Sequence, residues 1–175
     1  MSKINLQTSK YYLRSIENSD ISMIFKGLSH PEVIKYYGIS YTSLAETKTQ
    51  MQWYKNLELS GSGKWFAICE LSTDNFLGAV GLNNLIELHQ KAEIGIWLLP
   101  EHWGKGIFQE VMPKVVAYGF KELNLHRIEA FVESDNKKCK DALAKTGFVY
   151  EGTMKDCEKK NGKFINLSVY AILNK

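Results

Sequence analysis

Residues 92–108 read Ala92-Glu93-Ile94-Gly95-Ile96-Trp97-Leu98-Leu99-Pro100-Glu101-His102-Trp103-Gly104-Lys105-Gly106-Ile107-Phe108. The first half of this stretch, residues 92–99, is apolar and rich in β-forming residues, and it predicts a strand. From Phe108 to Gly119 the apolar residues recur on one face of a helix. Residues 103–107 therefore form a turn that leads from a strand into the N-terminus of a helix.

This turn has the composition of an anion-binding loop. Gly104 and Gly106 allow backbone N–H groups to converge, and the helix N-terminus behind them carries partial positive charge, so the turn can hold a phosphate or pyrophosphate. Lys105 adds a full charge at the rim. The sequence has neither the Gly-Lys-Ser/Thr ending of a P-loop nor a Gly-x-Gly-x-x-Gly dinucleotide fingerprint. A tight solvent-exposed turn is the alternative interpretation, and the turn alone does not decide between the two.

Two helices are predicted in the first third of the chain. Apolar residues follow helical spacing over residues 21–28, with Asn18 or Ser19 as the N-cap and Pro31 as the stop. A capping box at residues 43–46 starts the second helix.

Six strands are predicted, at residues 65–71, 76–85, 92–99, 127–132, 148–158 and 164–173. Short polar connections make the first three an antiparallel meander. The helix after the third strand makes the next connection a parallel crossover. A helix at residues 135–146 ends at Gly147, and the Asn161-Gly162 dipeptide predicts a tight hairpin between the last two strands. The elements predict an α/β fold in one domain spanning residues 1–175.

Pro113 lies inside the helix that follows the glycine turn. Proline has no backbone N–H, and its ring clashes with the carbonyl four residues earlier, which here belongs to Gln109. The sequence therefore predicts either a kink at this point or a helix that starts late.

Composition excludes several classes of protein. The 175 residues are 45% hydrophobic and include no apolar run of about 20 residues, so one folded core and no membrane span are expected. A net charge of +3, from 22 basic and 19 acidic residues, is too small to indicate nucleic-acid binding.

The start, residues 1–7, lacks the apolar segment of an export signal, so a cytoplasmic protein is expected. Cys69, Cys139 and Cys157 match neither a disulfide framework nor a metal-ligand pair, so free thiols and no metal are expected.

Residues 92–106 resemble the central motif of the GNAT superfamily of acetyl-CoA-dependent N-acetyltransferases. Asn136-Lys137-Lys138-Cys139 and Lys145-Thr146-Gly147-Phe148 resemble the second motif of that family. Tyr12-Leu13-Arg14, Glu151-Gly152-Thr153-Met154 and Asn161-Gly162-Lys163 resemble the Rim-type ribosomal-protein N-terminal acetyltransferases, with the spermidine acetyltransferases close behind. The resemblance implies a GNAT fold, with a mixed and mostly antiparallel sheet flanked by helices. It also implies acetyl-CoA as cosubstrate, no metal, an amine as acceptor and, since relatives include dimers, a homodimer as one oligomeric state.

The resemblance also implies which residues bind acetyl-CoA. These are Trp97, Leu98, Leu99, Trp103, Gly104, Lys105, Gly106, Ile107, Phe108 and Asn136. In the family, backbone N–H groups of the strand around Trp97 hold the thioester oxygen, and the loop holds the pyrophosphate. Trp103 and Phe108 depart from the usual loop pattern, which has Gln or Arg at the first position and often a small residue at the last. Asn136 matches a residue that contacts the pantetheine arm, although as a helix cap it needs no ligand.

Three residues are candidates for catalysis. Glu158 falls on the position of the glutamate assigned as base in the Rim-type enzymes, and its alternative is a surface glutamate beside two lysines. Glu93 lies on the strand beside the expected cleft, where several GNATs place a water-linked base, and its alternative is a strand residue orienting a neighbour. Cys139 occupies the position of a proposed proton-donating serine, and packing is its alternative. Leu143 replaces the donor tyrosine of the spermidine enzymes.

The remaining polar and aromatic candidates receive simpler interpretations. His102 and His126 have no partner in the sequence and are expected at the surface. Tyr36, Tyr37, Trp53 and Tyr54 are expected in the helix core, on the side that flanks the acceptor pocket in GNATs.

The resulting hypothesis is direct acetyl transfer to an amine, with a protein N-terminal α-amine as the first choice. Small amines, including polyamines and aminoglycosides, are the alternative acceptors. A non-catalytic acyl-CoA sensor on the same fold is a rival from another class. A nucleotide-binding α/β protein is disfavoured because the leading strands form a meander rather than repeated strand-helix units.

Overall fold

The computed structural model describes residues 6–175. Residues 1–5, which begin the proposed domain and the stretch expected to lack an export signal, lie outside the described part. The described chain forms one mixed sheet of seven strands with helices on both faces. The strands are β1 (Tyr11–Ser15), β2 (Lys64–Glu70), β3 (Phe76–Ile86), β4 (Lys91–Leu98), β5 (Arg127–Glu133), β6 (Val149–Lys160) and β7 (Lys163–Leu173). The helices are α1 (Ile21–Leu28), α2 (Pro31–Ile34), α3 (Leu44–Ser60), α4 (Ile107–Lys121) and α5 (Lys137–Lys145).

The strand order is β1-β2-β3-β4-β5-β7-β6. The antiparallel meander β2-β3-β4 and the parallel β4-α4-β5 crossover are both confirmed. The hairpin between β6 and β7 is also confirmed, because Asn161 (φ 49°) and Gly162 (φ 79°) both adopt the left-handed conformation that a tight two-residue turn requires. The pattern therefore predicted these pairings, but it did not predict that β7 lies between β5 and β6 and runs antiparallel to β5.

The parallel pair β4 and β5 separates after three residues. The strands pair from Lys91 with Arg127 to Glu93 with Glu129, and then diverge. Beyond that point β4 still pairs with β3, and β5 still pairs with β7, so each strand presents one free edge to the gap. The result is a wedge that opens in the middle of the sheet, at the carboxyl ends of both strands.

Two apolar cores cover the two faces of the sheet. On one face, α4 packs through Val111, Met112 and Val115, and α5 packs through Leu143. On the other face, α1, α2 and α3 cover β1 to β4, and Trp97 of β4 is buried among them. Because side chains alternate along a strand, β4 supplies apolar residues to both cores.

Several sequence predictions in the first third of the chain were wrong or incomplete. β1 and α2 were not predicted, and Pro31 starts α2 as its first residue rather than only ending α1. Neither Asn18 nor Ser19 caps α1. The N-cap of α1 is Asp20, whose side chain makes no capping hydrogen bond to this helix. Its buried carboxylate instead accepts the backbone N–H of Glu17, in the 3-10 turn that precedes α1, and two hydrogen bonds of 2.8 Å from Arg14.

The prediction of a late start for α4 was also wrong. The helix begins at Ile107, directly after Gly106, and continues through Pro113. Val111, Met112 and Val115 are each at most 1% exposed. Burial of three such side chains outweighs the roughly 3 kcal/mol that an internal proline costs a helix. A bend at Pro113 stays a prediction.

Among the helices of residues 6–175, none combines the length and apolar character needed to cross a membrane.

Candidate active site

A cavity of about 1000 Å³ occupies the wedge between β4 and β5. One end lies between the 103–106 loop and α5, and we call it the loop end. The other end lies against α2, and we call it the α2 end. The predicted site residues that line the cavity are Trp97, Leu98, Trp103, Gly104, Gly106, Ile107, Phe108, Asn136 and Cys139. Within the described residues, the wall does not include Leu99, Lys105, Glu93 or Glu158.

The loop from β4 to α4 is shaped by two glycines in the left-handed region. Gly104 has φ 75° and Gly106 has φ 76°, and a Cβ atom at either position would meet nothing within 4 Å. Their requirement is therefore conformational rather than steric. Gly106 is the N-cap of α4 and supplies no side-chain cap, so the first N–H groups of α4 are available to an anion in the cavity.

Trp103 and Phe108, the two departures from the family pattern, have clear structural roles. The indole Nε1 of Trp103 donates a hydrogen bond of 2.8 Å to the carbonyl of Leu98, which ties the loop back to the end of β4. Phe108 packs against the apolar core between α4 and the sheet, and it also lines the cavity. Neither side chain therefore blocks the approach to the loop backbone.

Lys105 and His102 form a small basic pair at the loop. The Lys105 Nζ lies 3.5 Å from the His102 Nδ1. His102 was expected at the surface, without a partner. This prediction was wrong, because the ring is half-buried, lines the cavity and lies next to Lys105. Burial, and then the charge of Lys105, lower the pKa of His102 below its ordinary value, so the imidazole is neutral at pH 7.

The start of α5 forms the opposite wall of the loop end. The Asn136 side chain caps this helix by accepting the backbone N–H of Cys139 at 3.2 Å, and it lines the cavity as well. The helix-cap interpretation of Asn136 is therefore confirmed, and its contact with the pantetheine arm stays a prediction. Three lysines that sequence reasoning had not assigned also line this end: Lys137, Lys138 and Lys145.

Cys139 lies on the cavity wall beside Leu143. Burial raises the pKa of its thiol to about 11. The thiol therefore keeps its proton at neutral pH. Leu143, which stands where the spermidine enzymes have the donor tyrosine, is 2% exposed and packs in the apolar core between α4, α5 and the sheet. This position therefore supplies no hydroxyl to the cavity.

The middle of the cavity is bounded by the free edge of β4. Successive residues of a strand direct their N–H and C=O groups to opposite edges, so Trp97, like Leu99, faces β3, whereas Ile96 and Leu98 face the gap beyond the last residue pair with β5. Leu99 is fully buried, and its N–H donates to the carbonyl of Leu77 at 2.9 Å.

The two glutamates proposed as bases lie in different places. Glu93 is half-buried on β4, next to Glu129, at the closed bottom of the wedge. Glu158 is exposed near the end of β6, where it pairs with Ile165 after a bulge. It points to the same face of the hairpin as Lys160, two residues later, because side chains alternate along a strand. The Lys160 Nζ donates to the carbonyl of Lys35, the residue that follows α2, so this face is directed towards the α2 end.

The α2 end is built by residues that carry no motif. Glu32, Val33, Lys35, Tyr36 and Tyr37 line it. Tyr36 and Tyr37 were expected in the helix core, but both follow the end of α2 and line the cavity. Trp53 and Tyr54 instead pack against each other and against Trp65, with ring centroids 5.4 to 5.9 Å apart.

No group of three or more His, Cys, Asp or Glu side chains within residues 6–175 is arranged to hold a metal ion.

Comparison with known proteins supplies relatives for this arrangement. The family model described as "Acetyltransferase (GNAT) domain" matches residues 10–149. The uncharacterized N-acetyltransferase YoaA of Bacillus subtilis is 36% identical, over 96% of each chain. The ribosomal-protein-serine acetyltransferase of Escherichia coli is 27% identical, over 72% of this chain and 69% of the relative. The crystal structure of spermidine N-acetyltransferase from Vibrio cholerae in complex with CoA and spermine superimposes with a TM-score of 0.84 at 27% identity, covering 95% of this chain and 96% of that one.

Proposed function

The chain belongs to the GNAT family of acetyltransferases, and we propose that it transfers the acetyl group of acetyl-CoA directly to a protein N-terminal α-amine. The observation that carries the proposal is the wedge between β4 and β5, which joins an anion-binding loop to a separate α2 end through one cavity. A direct transfer needs both reactants in one site, and the two ends provide a place for each.

The loop end fits the cosubstrate. Gly104 and Gly106 direct the uncapped N–H groups of α4 into the cavity, where they suit a pyrophosphate. The lysines of α5 that line this end add positive charge for a further phosphate. The free edge of β4, at Ile96 and at the N–H of Leu98, offers backbone hydrogen bonds to an extended arm and to the thioester oxygen.

At the reacting centre, the amine nitrogen attacks the thioester carbon and the carbon–sulfur bond breaks. In our proposal Glu158 takes the proton that the amine loses, and Cys139 gives a proton to the departing sulfur. Glu158 is preferred over Glu93 because its side of the hairpin is directed towards the α2 end, whereas Glu93 lies at the closed bottom of the wedge. Backbone N–H groups of β4 stabilise the oxygen.

The proposed role of Cys139 gives a prediction about its reactivity. At pH 7 its alkylation by iodoacetamide is expected to be slow, and the rate is expected to rise about tenfold per pH unit between pH 7 and 9, because only the thiolate reacts. Mass spectrometry of the alkylated peptides measures this rate, with Cys139→Ala to assign the signal. The exposed Cys157 serves as the internal control, and added CoA is expected to protect Cys139 only. Equal labelling of both thiols at pH 7 would show that Cys139 ionises as readily as an exposed thiol, which would contradict the raised pKa.

The charges at the α2 end favour an α-amine over a polyamine. Glu32 and Lys35 line this end and cancel each other, and Glu133 beside it is paired with Lys160 at 2.5 Å. A polyamine carries several ammonium groups and needs an excess of carboxylates. An α-amine has a pKa of about 7.7 to 8.0, so it is partly neutral at cellular pH and needs less help than an amine of about 10.4.

A polyamine is the second candidate acceptor. The observation in its favour is the similarity to the Vibrio cholerae spermidine enzyme over 95% of this chain. Glu32 also offers one carboxylate at the α2 end.

Release of free CoA thiol from acetyl-CoA tests the proposal. The acceptors are N-terminal peptides of ribosomal proteins, spermidine, an aminoglycoside and a peptide whose N-terminus is blocked but which contains lysine. Release with the free N-terminal peptides alone supports the α-amine. Preference for spermidine would establish the second candidate, and acetyl-CoA binding without release on any acceptor would indicate a sensor. Binding of ATP without CoA would overturn the assignment of the loop end.

A further inference from the structure

Lys160 joins three elements that are far apart in the chain. Its Nζ donates a hydrogen bond of 2.5 Å to the carbonyl of Lys35, just after α2, and forms an ion pair of 2.5 Å with Glu133, at the end of β5. The Lys160 and Glu133 side chains are 22% and 15% exposed, respectively. Because water is largely excluded from this pair, the contacts are stronger than those of a surface lysine.

The segment that Lys160 holds has little regular structure of its own. α2 has only four residues, and the chain from there to α3 forms no further helix or strand. Its other backbone hydrogen bonds run from Lys35 to Pro31 at 3.1 Å, from Tyr37 to Ile34 at 3.2 Å and from Tyr41 to Leu28 at 3.0 Å. The Tyr41 hydroxyl also donates to Gln50 at 2.9 Å, and Val33, Tyr37 and Tyr41 pack in the core beneath α1 and α3. This same segment carries Lys35, Tyr36 and Tyr37 to the cavity wall. The Lys160 contact adds a hydrogen bond from the β6–β7 hairpin at Lys35, the point where the chain leaves α2 and enters the cavity wall.

We infer that Lys160 is a positioning residue for the acceptor amine: it fixes the α2 end of the cavity and holds the hairpin that carries Glu158 against it. The inference rests on the proposed function, because it assigns the α2 end to the acceptor. Lys160 acts through the Lys35 backbone and through the hairpin, and it is not part of the cavity wall.

This role predicts an effect on one substrate only. The loop end is built by the 103–106 loop, α4 and α5, and the Lys160 Nζ bonds to none of these. Glu133 meets the start of α5 only through its backbone carbonyl, which accepts the N–H of Asn136 at 2.8 Å, and not through the carboxylate that Lys160 holds. The variant Lys160→Met keeps most of the side-chain length and removes the donor. It is expected to raise the acceptor KM about tenfold, the size of effect that follows loss of a charge-assisted hydrogen bond, with the acetyl-CoA KM unchanged.

The hairpin offers a matched control. Lys159 neighbours Lys160 but points to the opposite face, where its Nζ lies 5.7 Å from the centre of the Phe164 ring. Lys159→Met therefore removes the same charge from the same hairpin without touching Lys35 or Glu133. Both KM values of this variant are expected to match those of the unmodified protein.

Two further variants separate positioning from stability. Lys160→Met leaves the Glu133 carboxylate half-buried without its cation, which itself destabilises the fold. In the double variant with Glu133→Gln this unpaired charge is gone, so thermal stability is expected to recover while the acceptor KM stays high. Lys160→Arg keeps a charged donor and is expected to recover most of the acceptor KM.

Steady-state kinetics in both substrates, with thermal unfolding of each variant, decide the outcome. An acceptor KM that recovers together with stability in the double variant would overturn the inference and leave Lys160 a purely structural residue. Unchanged kinetics in Lys160→Met would also overturn it. If the unmodified protein acetylates no amine, the proposed function itself fails, which is a different result from normal turnover that does not respond to Lys160.

Discussion

Replacing Gly27 with alanine is expected to lower the free energy of unfolding by about 2 kcal/mol, although the same change stabilises most helices. Gly27 lies in α1 and faces the indole of Trp97 on β4. A Cβ atom at this position would lie 2.1 Å from Cζ3 of that ring and 2.7 Å from Cη2. Such distances require one of the two groups to move.

Two opposing effects set the size of this change. Alanine gains about 1 kcal/mol over glycine within a helix. Overpacking a rigid core costs about 1 to 3 kcal/mol, and the upper end applies because the contact falls on an aromatic ring. Trp97 is 4% exposed and also packs against Phe76, with ring centroids 5.9 Å apart, so the indole has no free space to enter. The cost of overpacking therefore exceeds the gain in helix stability.

Thermal unfolding measures the effect, and a fall in the melting temperature of about 4 to 8 °C corresponds to 2 kcal/mol in a chain of this size. Gly38→Ala is the matched control, since a Cβ atom there would meet nothing within 4 Å. Trp97 also lines the cavity, so weaker binding of acetyl-CoA is expected to accompany the loss of stability in Gly27→Ala. A melting temperature equal to that of Gly38→Ala, which lies outside the helices, would mean that moving α1 away from β4 costs no more than the roughly 1 kcal/mol that the helix gains from alanine.

The strands and the loop could be predicted because their signals are local. Alternation of apolar residues, the Asn161-Gly162 turn and the two glycines before α4 each act within a few residues. β1 has the same alternation, with Tyr11 and Leu13 buried, but five residues at the edge of the sheet give too short a signal to separate a strand from a loop.

The cavity's α2 end could not be predicted, because long-range contacts create it. No pattern in residues 31–37 indicates that Lys160, more than 120 positions later, holds this segment. The role of Trp103 has the same origin: the sequence showed only a departure from the family pattern, and the hydrogen bond to Leu98 exists once β4 and the loop have folded together. The roles of such residues depend on tertiary contacts, so no periodic pattern in the sequence indicates them.

Glu158→Gln is expected to lower kcat for an N-terminal peptide about 100-fold, the lower end of the range for loss of a general base. Glutamine keeps the size and polarity of the side chain and removes its ability to take a proton. Glu158 lies outside the cavity wall in the described structure, so the KM for acetyl-CoA is expected to stay the same. Steady-state kinetics between pH 6.5 and 9 provide the measurement.

The pH dependence separates loss of a base from a general disturbance of the hairpin. Without a base, turnover depends on the fraction of acceptor that is already neutral. The residual rate of Glu158→Gln is therefore expected to rise about tenfold per pH unit until it levels off near the pKa of the α-amine, at about 8. A disturbed hairpin would instead lower the rate by a similar factor at every pH, and the stability of the variant would fall with it.

Glu93→Gln is the matched comparison, because it makes the same change at the other candidate. Glu93 lies beside Glu129 at the closed bottom of the wedge, where β4 and β5 are still paired, and it is not part of the cavity wall. If Glu158 is the base, Glu93→Gln keeps a kcat close to that of the unmodified protein. A large loss in Glu93→Gln together with normal turnover in Glu158→Gln would transfer the role to Glu93. Normal turnover in both variants would mean that the α-amine loses its proton directly to solvent, as its low pKa permits near pH 8.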